Sequence, residues 1–308
     1  MKKRITAIPG SLMLIPMAIS ALVCTYYPFL SRLKSPASDI VGSSGTMTMI
    51  GLLLFFSGAD SRPDILIKSV KRGGMLALLK MVTAFIGTVI FVKCFGIKGV
   101  MGVSAVAVAA CLSSMSPGVY IALMNEKGDD VDKAGYAFIS LVSLPFIPVC
   151  FLTVSEGSGI DWIAMISTGL PFLLGMGLAL LKKDVQQFLK RGTMILMPFL
   201  GWSLGSRVNI KTAFEAGGAG IILGIAVTLI TLLPMLLAEC AGMKRNGYAS
   251  VGIACAGGVS VSVPAILASE HIEYLPYVET ATAQIAMVVL LSTFMTPVFV
   301  KILDSKKA

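Results

Sequence analysis

Two stretches of this 308-residue chain set small hydroxyl side chains beside a proline in otherwise apolar surroundings. The first is Ser113-Ser114-Met115-Ser116-Pro117-Gly118, the second Gly257-Gly258-Val259-Ser260-Val261-Ser262-Val263-Pro264. A serine both donates and accepts hydrogen bonds, which suits a ligand carrying hydroxyls and a carboxylate. Catalysis asks for more, because a nucleophilic serine needs a positioned base. No His, Asp or Glu falls in the middle of an apolar run; Asp60, Glu215, Glu239 and Glu279 all stand at run ends. An enzyme working inside these runs is therefore the weakest functional reading.

Other reactive residues offer less. Lys80 is the only charge at any depth in a run, six residues from its start. It is read first as a lysine that snorkels to the headgroups, and second as a charge that neutralises an anionic substrate or pairs with a carboxylate. Thr282 and Gln284, early in the last run, can face the second serine stretch or simply bond one helix to another. The six cysteines lie far apart, without a C-x-x-C pair or a nearby histidine, and read as small buried hydrophobes rather than metal ligands. Glu126, Asp129, Asp130 and Asp132 lack calcium-loop spacing and read as a hydrated turn. His271, beside Glu270 and Glu273, reads as solvated rather than as a pH switch. No metal and no cofactor is expected.

The elements that must position these residues follow from composition. The chain is 56% hydrophobic and 13% charged, against about 45–50% and 25% in soluble domains. That excludes a soluble globular domain, a disordered chain and a disulfide scaffold. Apolar runs of bilayer-spanning length cover 8–30, 40–59, 75–95, 99–125, 134–154, 160–181, 187–206, 214–238, 247–269 and 280–300. Only helices or closed barrels satisfy the backbone inside lipid, and the absence of period-2 alternation selects helices. The chain is thus expected to be an all-α polytopic membrane protein of ten spans. The basic start, Met1-Lys2-Lys3-Arg4, resembles a secretory signal, but Leu22 and Val23 are too bulky for cleavage before Cys24, so the run reads as a first span that stays.

Ten spans put both termini on one side. Loops on that side hold 18 of the 25 Lys and Arg, while the opposite loops hold 6. By the positive-inside rule both termini are cytoplasmic. The same dispersal over short loops, without interleaved aromatics, argues against nucleic acid; the partners expected are the lipid bilayer and a small anion.

At an offset of 147 residues, Gly45-Thr46-Met47 aligns with Gly192-Thr193-Met194, Gly58 with Gly205, Ser113 with Ser260, Pro117 with Pro264, and Glu126 with Glu273. That offset divides the spans into five and five, over 1–155 and 156–308. An odd number of spans per unit forces the second unit to enter from the other side, the inverted-repeat plan of secondary transporters.

Span four, at 27 residues, would measure about 40 Å as one helix. Ser116 before Pro117 is an N-cap followed by proline at N1, which predicts a helix restarting there. The aligned Ser262-Val263-Pro264 predicts a second break. Two restarting helices present N–H groups and positive dipole ends favourable to an anion. The two helices ending there leave carbonyls that suit a cation or a proton carrier. Ser113, Ser114, Ser116 and Gly118, with Gly257, Gly258, Ser260 and Ser262, are the expected substrate-binding residues, and Lys80, Thr282 and Gln284 the candidates for a coupling or charge role.

Several of these features occur together with Ile8-Pro9-Gly10-Ser11-Leu12-Met13-Leu14-Ile15-Pro16, Gly118-Val119-Tyr120, Pro198-Phe199, Leu204-Gly205 and Gly252-Ile253-Ala254. In this combination the chain resembles the 2-keto-3-deoxygluconate permease family over nearly its whole length. The resemblance implies a bacterial inner-membrane symporter importing a sugar acid with protons, by alternating access of the elevator type. It also implies a fold similar to that of bile acid:sodium symporters, in which broken spans four and nine cross in a core of spans three to five and eight to ten. Spans one, two, six and seven would form a supporting panel. A sodium-coupled carrier of another organic anion is the alternative, and a homo-oligomer is left open.

Overall fold

A computed structural model of the chain describes residues 11–27, 34, 37–42, 45–60, 73–157, 162–181, 183–189, 191–206 and 210–305. The basic N-terminal residues, the opening Ile8-Pro9-Gly10 motif and the loop with Arg62, Lys68, Lys71 and Arg72 lie outside them. In chain order the main helices are α1 Ser11–Tyr26, α2 Thr46–Asp60, α3 Met75–Phe95, α4 Ala105–Ser113, α5 Pro117–Lys127, α6 Asp130–Val142 and α7 Phe146–Ser155. There follow α8 Trp162–Leu181, α9 Gly192–Gly205, α10 Ile210–Leu237, α11 Tyr248–Ala254, α12 Val263–Glu270 and α13 Val278–Ser305. Among the described residues there is no strand beyond one isolated bridge, Val100 with Val103.

The apolar periphery is what a bilayer demands. Val82, Ile86 and Ile90 on α3 and Ile222, Ile225, Leu229 and Leu233 on α10 are large side chains left at least 45% exposed, a stripe that water would penalise and lipid does not. Five stretches are long and apolar enough to cross: Met75–Phe95, Ala105–Lys127, Gly217–Gly242, Tyr248–Glu270 and Ile272–Ser305. A sixth results if Val131–Val142 and Phe146–Ser155, bent by 57°, count as one. Shorter apolar helices occur at Ile15–Tyr26, Thr46–Asp60 and Gly169–Leu181.

Helices α1 and α9 lie side by side, as do α2 and α8, while α10 packs along α13, α3 along α4, and α11 against α5. The first two pairs touch through glycines. A methyl group built on Gly58 would stand 2.0 Å from the Phe172 carbonyl oxygen, one on Gly175 1.8 Å from that of Phe55, and one on Gly205 2.1 Å from that of Met17. Small residues let helices approach this closely where lipid supplies no hydrophobic drive. Hydroxyls add cross-links: Thr46 Oγ1 lies 2.6 Å from Ser203 Oγ, and Ser20 donates to the Trp202 carbonyl at 2.7 Å.

Local signals set the helix ends that matter. Ser116 accepts from the Val119 N–H at 3.5 Å with Pro117 at N1, as its sequence predicts. Ser104 caps α4 by accepting from Ala107. Asp129 and Asp132 form a reciprocal capping box at the start of α6.

Replacing Gly58 by valine should cost about 2 kcal/mol, because the obstacle is a backbone carbonyl that cannot turn away. Gly51→Ala, where nothing lies within 4 Å, should be neutral. Melting of the purified variants in detergent measures both, and a Gly58→Val protein as stable as wild type would contradict the packing.

Candidate functional site

Every residue of α4 (Ala105–Ser113) and of α11 (Tyr248–Ala254) is buried, and both helices stop inside the molecule. The chain runs extended at Ser114 and Ser116 before α5 begins, and through Cys255 and Gly257 before a 3-10 turn, Gly258–Ser262, leads into α12. The two interruptions meet. A methyl group on Gly257 would stand 2.0 Å from the Met115 carbonyl oxygen, so only glycine permits the approach. Ser114 bridges them: its Oγ accepts from the Gly257 N–H at 2.8 Å and lies 2.9 Å from Ser260 Oγ. Ser260 in turn donates to the Gly257 carbonyl at 2.6 Å.

Lys80 closes the junction from α3. Its side chain is fully buried, and its ammonium donates to the carbonyls of Ser114, Ile253 and Ala254, the latter two at 2.9 and 3.4 Å. The snorkelling expectation is overturned, as is pairing with a carboxylate: the partners are the carbonyls that α4 and α11 leave open at their C-terminal ends. Three N–H donors meet three acceptors.

The far end of α11 is also charged. Glu239 is 2% exposed and accepts from the N–H groups of Gly247, Ala249 and Ser250 at 3.1, 3.3 and 2.7 Å and from the Ser250 hydroxyl at 2.6 Å. A helix of seven residues thus has a carboxylate at its N-terminus and an ammonium at its C-terminus, both matched to its dipole. Glu239 is the functional-region residue that sequence reasoning missed. It looked like an acid at a span end, and only its acceptance of N–H groups eight to eleven positions on reveals a cap.

The remaining candidates divide. Ser113 donates back to Ala109 at 2.7 Å and Ser262 back to Val259 at 2.7 Å, and Ser262 does not cap α12. Ser116 caps α5 and remains half-buried; Gly118 is exposed and Gly258 half-buried, 3.7 Å from Met13 when given a methyl. Gln284 donates to Gly102 O at 2.8 Å, in the loop before α4, so it does not reach the junction; Thr282 is buried within α13. Ser292 and Thr293, unremarked in the sequence, do reach it: Ser292 accepts from the Ala256 N–H at 3.0 Å, and Thr293 lies 3.9 Å from Cys255 Sγ.

From Thr293 and Thr296 a cleft of about 510 Å³ runs between α5 and α13 to a charged mouth at Glu126, Lys301 and Asp304. Of the nearby acids, Glu126 and Asp129 are exposed, as a hydrated turn requires, but Asp132 is not. Asp132 is 2% exposed and, with Asp129, pairs with Arg245, while Lys127 and Tyr248 both reach Asp304. These bonds tie the loop after α5 to the loop before α11. Of the cysteines, Cys111 and Cys255 are buried as expected, whereas Cys94 and Cys240 are exposed. Among the described residues no cluster of His, Cys, Asp or Glu can hold a metal.

At the other end of the molecule His271 is half-buried rather than solvated, its ring edge-on to Tyr274 at 5.9 Å. Tyr274 donates to Glu156 Oε2 at 2.6 Å. Burial pushes the Glu156 carboxyl above its ordinary range; the Tyr274 bond opposes this, Glu273 reinforces it and His271 opposes it.

A family profile described as 2-keto-3-deoxygluconate permease matches residues 2–308. A 2-keto-3-deoxygluconate permease of Xanthomonas euvesicatoria pv. vesicatoria is 31% identical over 302 residues, 96% of this chain and 94% of the relative. Those of Enterobacter sp. and Bacillus subtilis are 28% and 29% identical, over 96% and 99% of this chain and 91% and 94% of their own lengths.

Ser114→Ala should destabilise the protein by about 2 kcal/mol, since it strands a buried N–H, whereas Ser113→Ala should change little, because a back-bond to the preceding turn adds little to a helix. Equal melting temperatures for the two variants would refute the bridge. A carboxyl raised in the folded state binds protons more tightly there, so its contribution is lost as pH rises from the unfolded carboxylate range through the folded one. Glu156→Gln should therefore melt higher than wild type at neutral pH, with the gap closing toward acid; a gap that widens toward acid would contradict the buried setting of Glu156.

Proposed function

Because the chain belongs to the 2-keto-3-deoxygluconate permease family, we propose that it imports 2-keto-3-deoxygluconate or a related sugar acid as a proton symporter working by alternating access. It is a multi-pass membrane transporter and not an enzyme. The meeting of two interrupted helices at Ser114, Gly257 and Ser260 carries the mechanistic reading. A rigid bundle has no use for helices that stop in its middle, whereas a carrier gains half-helix ends where ligand and coupling ion can be bound.

The ten-span inverted repeat fits the packing. Gly58 and Gly205, equivalent at the offset of 147, both lie against a carbonyl of a neighbouring helix, one joining α2 to α8 and the other α9 to α1. Exchanging the halves exchanges these pairs. In this reading α1, α2, α8 and α9 form the panel, and the helices from α3 to α7 and from α10 to α13 form a core that moves against it in an elevator motion. The termini lie in the cytoplasm of a bacterial inner membrane.

The substrate class follows from the relatives' names and from the chemistry of the junction. A six-carbon keto-deoxy acid carries one carboxylate and several hydroxyls. Serine hydroxyls at 114, 116, 260 and 262, the backbone at Gly118 and Gly258, and the N-terminus of α5 would take them. The cleft between α5 and α13 has the volume of a small-ligand pocket.

Radiolabelled 2-keto-3-deoxygluconate should accumulate in proteoliposomes when the outside is acid. Exchanging sodium for potassium at a clamped pH gradient should leave the rate unchanged, and unlabelled sugar acids should compete. Ser116→Ala should lower uptake severalfold without preventing insertion. Accumulation that follows the sodium gradient instead would favour a sodium-coupled carrier of organic anions.

A further inference from the structure

Three carbonyl oxygens from two separate half-helices, those of Ser114, Ile253 and Ala254, converge on one buried point. Each belongs to the C-terminal end of a helix, where the dipole leaves partial negative charge and where the last carbonyls lack intrahelical partners. Backbone carbonyls arranged around a point are how proteins strip and hold an alkali-metal cation. Here the point is filled from within, by an ammonium on a four-carbon stem.

We propose that Lys80 is a tethered cation, standing where a carrier of this plan would otherwise bind sodium. Its three N–H bonds replace coordination, and its covalent attachment removes the need to recruit an ion. One charge serves both breaks: at the offset of 147 the second half has Val227, a buried apolar residue. The arrangement is thus asymmetric in charge although the two breaks are alike in sequence, as expected if one cation is enough. Since all three donors are engaged by carbonyls, Lys80 binds the protein and not the substrate. It is a positioning residue, keeping α4 and α11 end to end so that Ser114 and Gly257 can meet.

This deepens the symporter reading and rests on it for its consequence, that transport needs no sodium; the site itself can be tested without transport. Lys80→Ser replaces the ammonium by a hydroxyl and leaves a hydrated space faced by the same three carbonyls. Melting temperatures of purified wild type and Lys80→Ser are compared in choline, potassium and sodium chloride at constant ionic strength. Wild type should melt alike in all three. Lys80→Ser should melt several degrees lower in choline and recover a large part of the loss in sodium, since a ligand bound only by the folded state stabilises it. A Lys80→Ser protein as stable as wild type in choline, or one unresponsive to sodium, overturns the proposal. So does a sodium-specific rise in the melting temperature of wild type, a measurement that requires no variant. Failure of every sugar acid to be taken up by wild-type proteoliposomes would defeat the transport reading and leave the melting comparison standing.

Discussion

A helix that ends inside a membrane protein leaves carbonyls with neither water nor lipid to satisfy them, at a cost of several kcal/mol for each polar group so stranded. This fold ends two helices, α4 and α11, at nearly the same place. The Lys80 ammonium resolves the difficulty for both, donating to Ser114, Ile253 and Ala254. The reverse holds as well. A fully buried ammonium is tolerated only where its hydrogens are taken up, and the broken helices supply the acceptors. Neither feature is stable alone, so each accounts for the other.

The surrounding contacts depend on that pairing. With the two helix ends fixed, the extended segments after them run close enough for Gly257 to pass the Met115 carbonyl, and Ser114 can bridge to Gly257 and Ser260. Glu239 compensates the opposite end of α11, so this short helix lies between a carboxylate and an ammonium. Further out, the Arg245 pairs with Asp129 and Asp132 bind the loop preceding α11 to the loop following α5. The cleft between α5 and α13 opens beside these bonds and reaches inward to Thr293, next to Cys255 at the second break.

What the sequence discloses here is what local grammar controls. Ser116-Pro117 states a helix start in two adjacent residues, and the helix starts there. The aligned serines and proline at 260–264 announce the second break, though not the 3-10 turn that fills it, because glycines at 257 and 258 permit several conformations. Lys80 and Asp132 are illegible for one shared reason. Near the end of a run a charge reads as snorkelling, capping nothing, or solvated, and the partners that make it internal lie far along the chain: 34, 173 and 174 residues away for Lys80 and 113 for Asp132. Gln284 shows the opposite case, since its position on α13 suits a polar junction but its amide turns toward Gly102. Membership of the family, by contrast, is readable from dispersed motifs, of which Gly118-Val119-Tyr120 and Gly252-Ile253-Ala254 flank the breaks and Leu204-Gly205 lies at a close helix contact.

The most direct test is a cryo-electron microscopy map of the purified protein in lipid nanodiscs, at a resolution that traces side chains through α3, α4 and α11. The account predicts continuous density from Lys80 to the carbonyls of Ser114 and Ile253, with both helices interrupted beside it. Density for Lys80 turned outward toward the headgroups, or a single unbroken helix through residues 105–127, would contradict it.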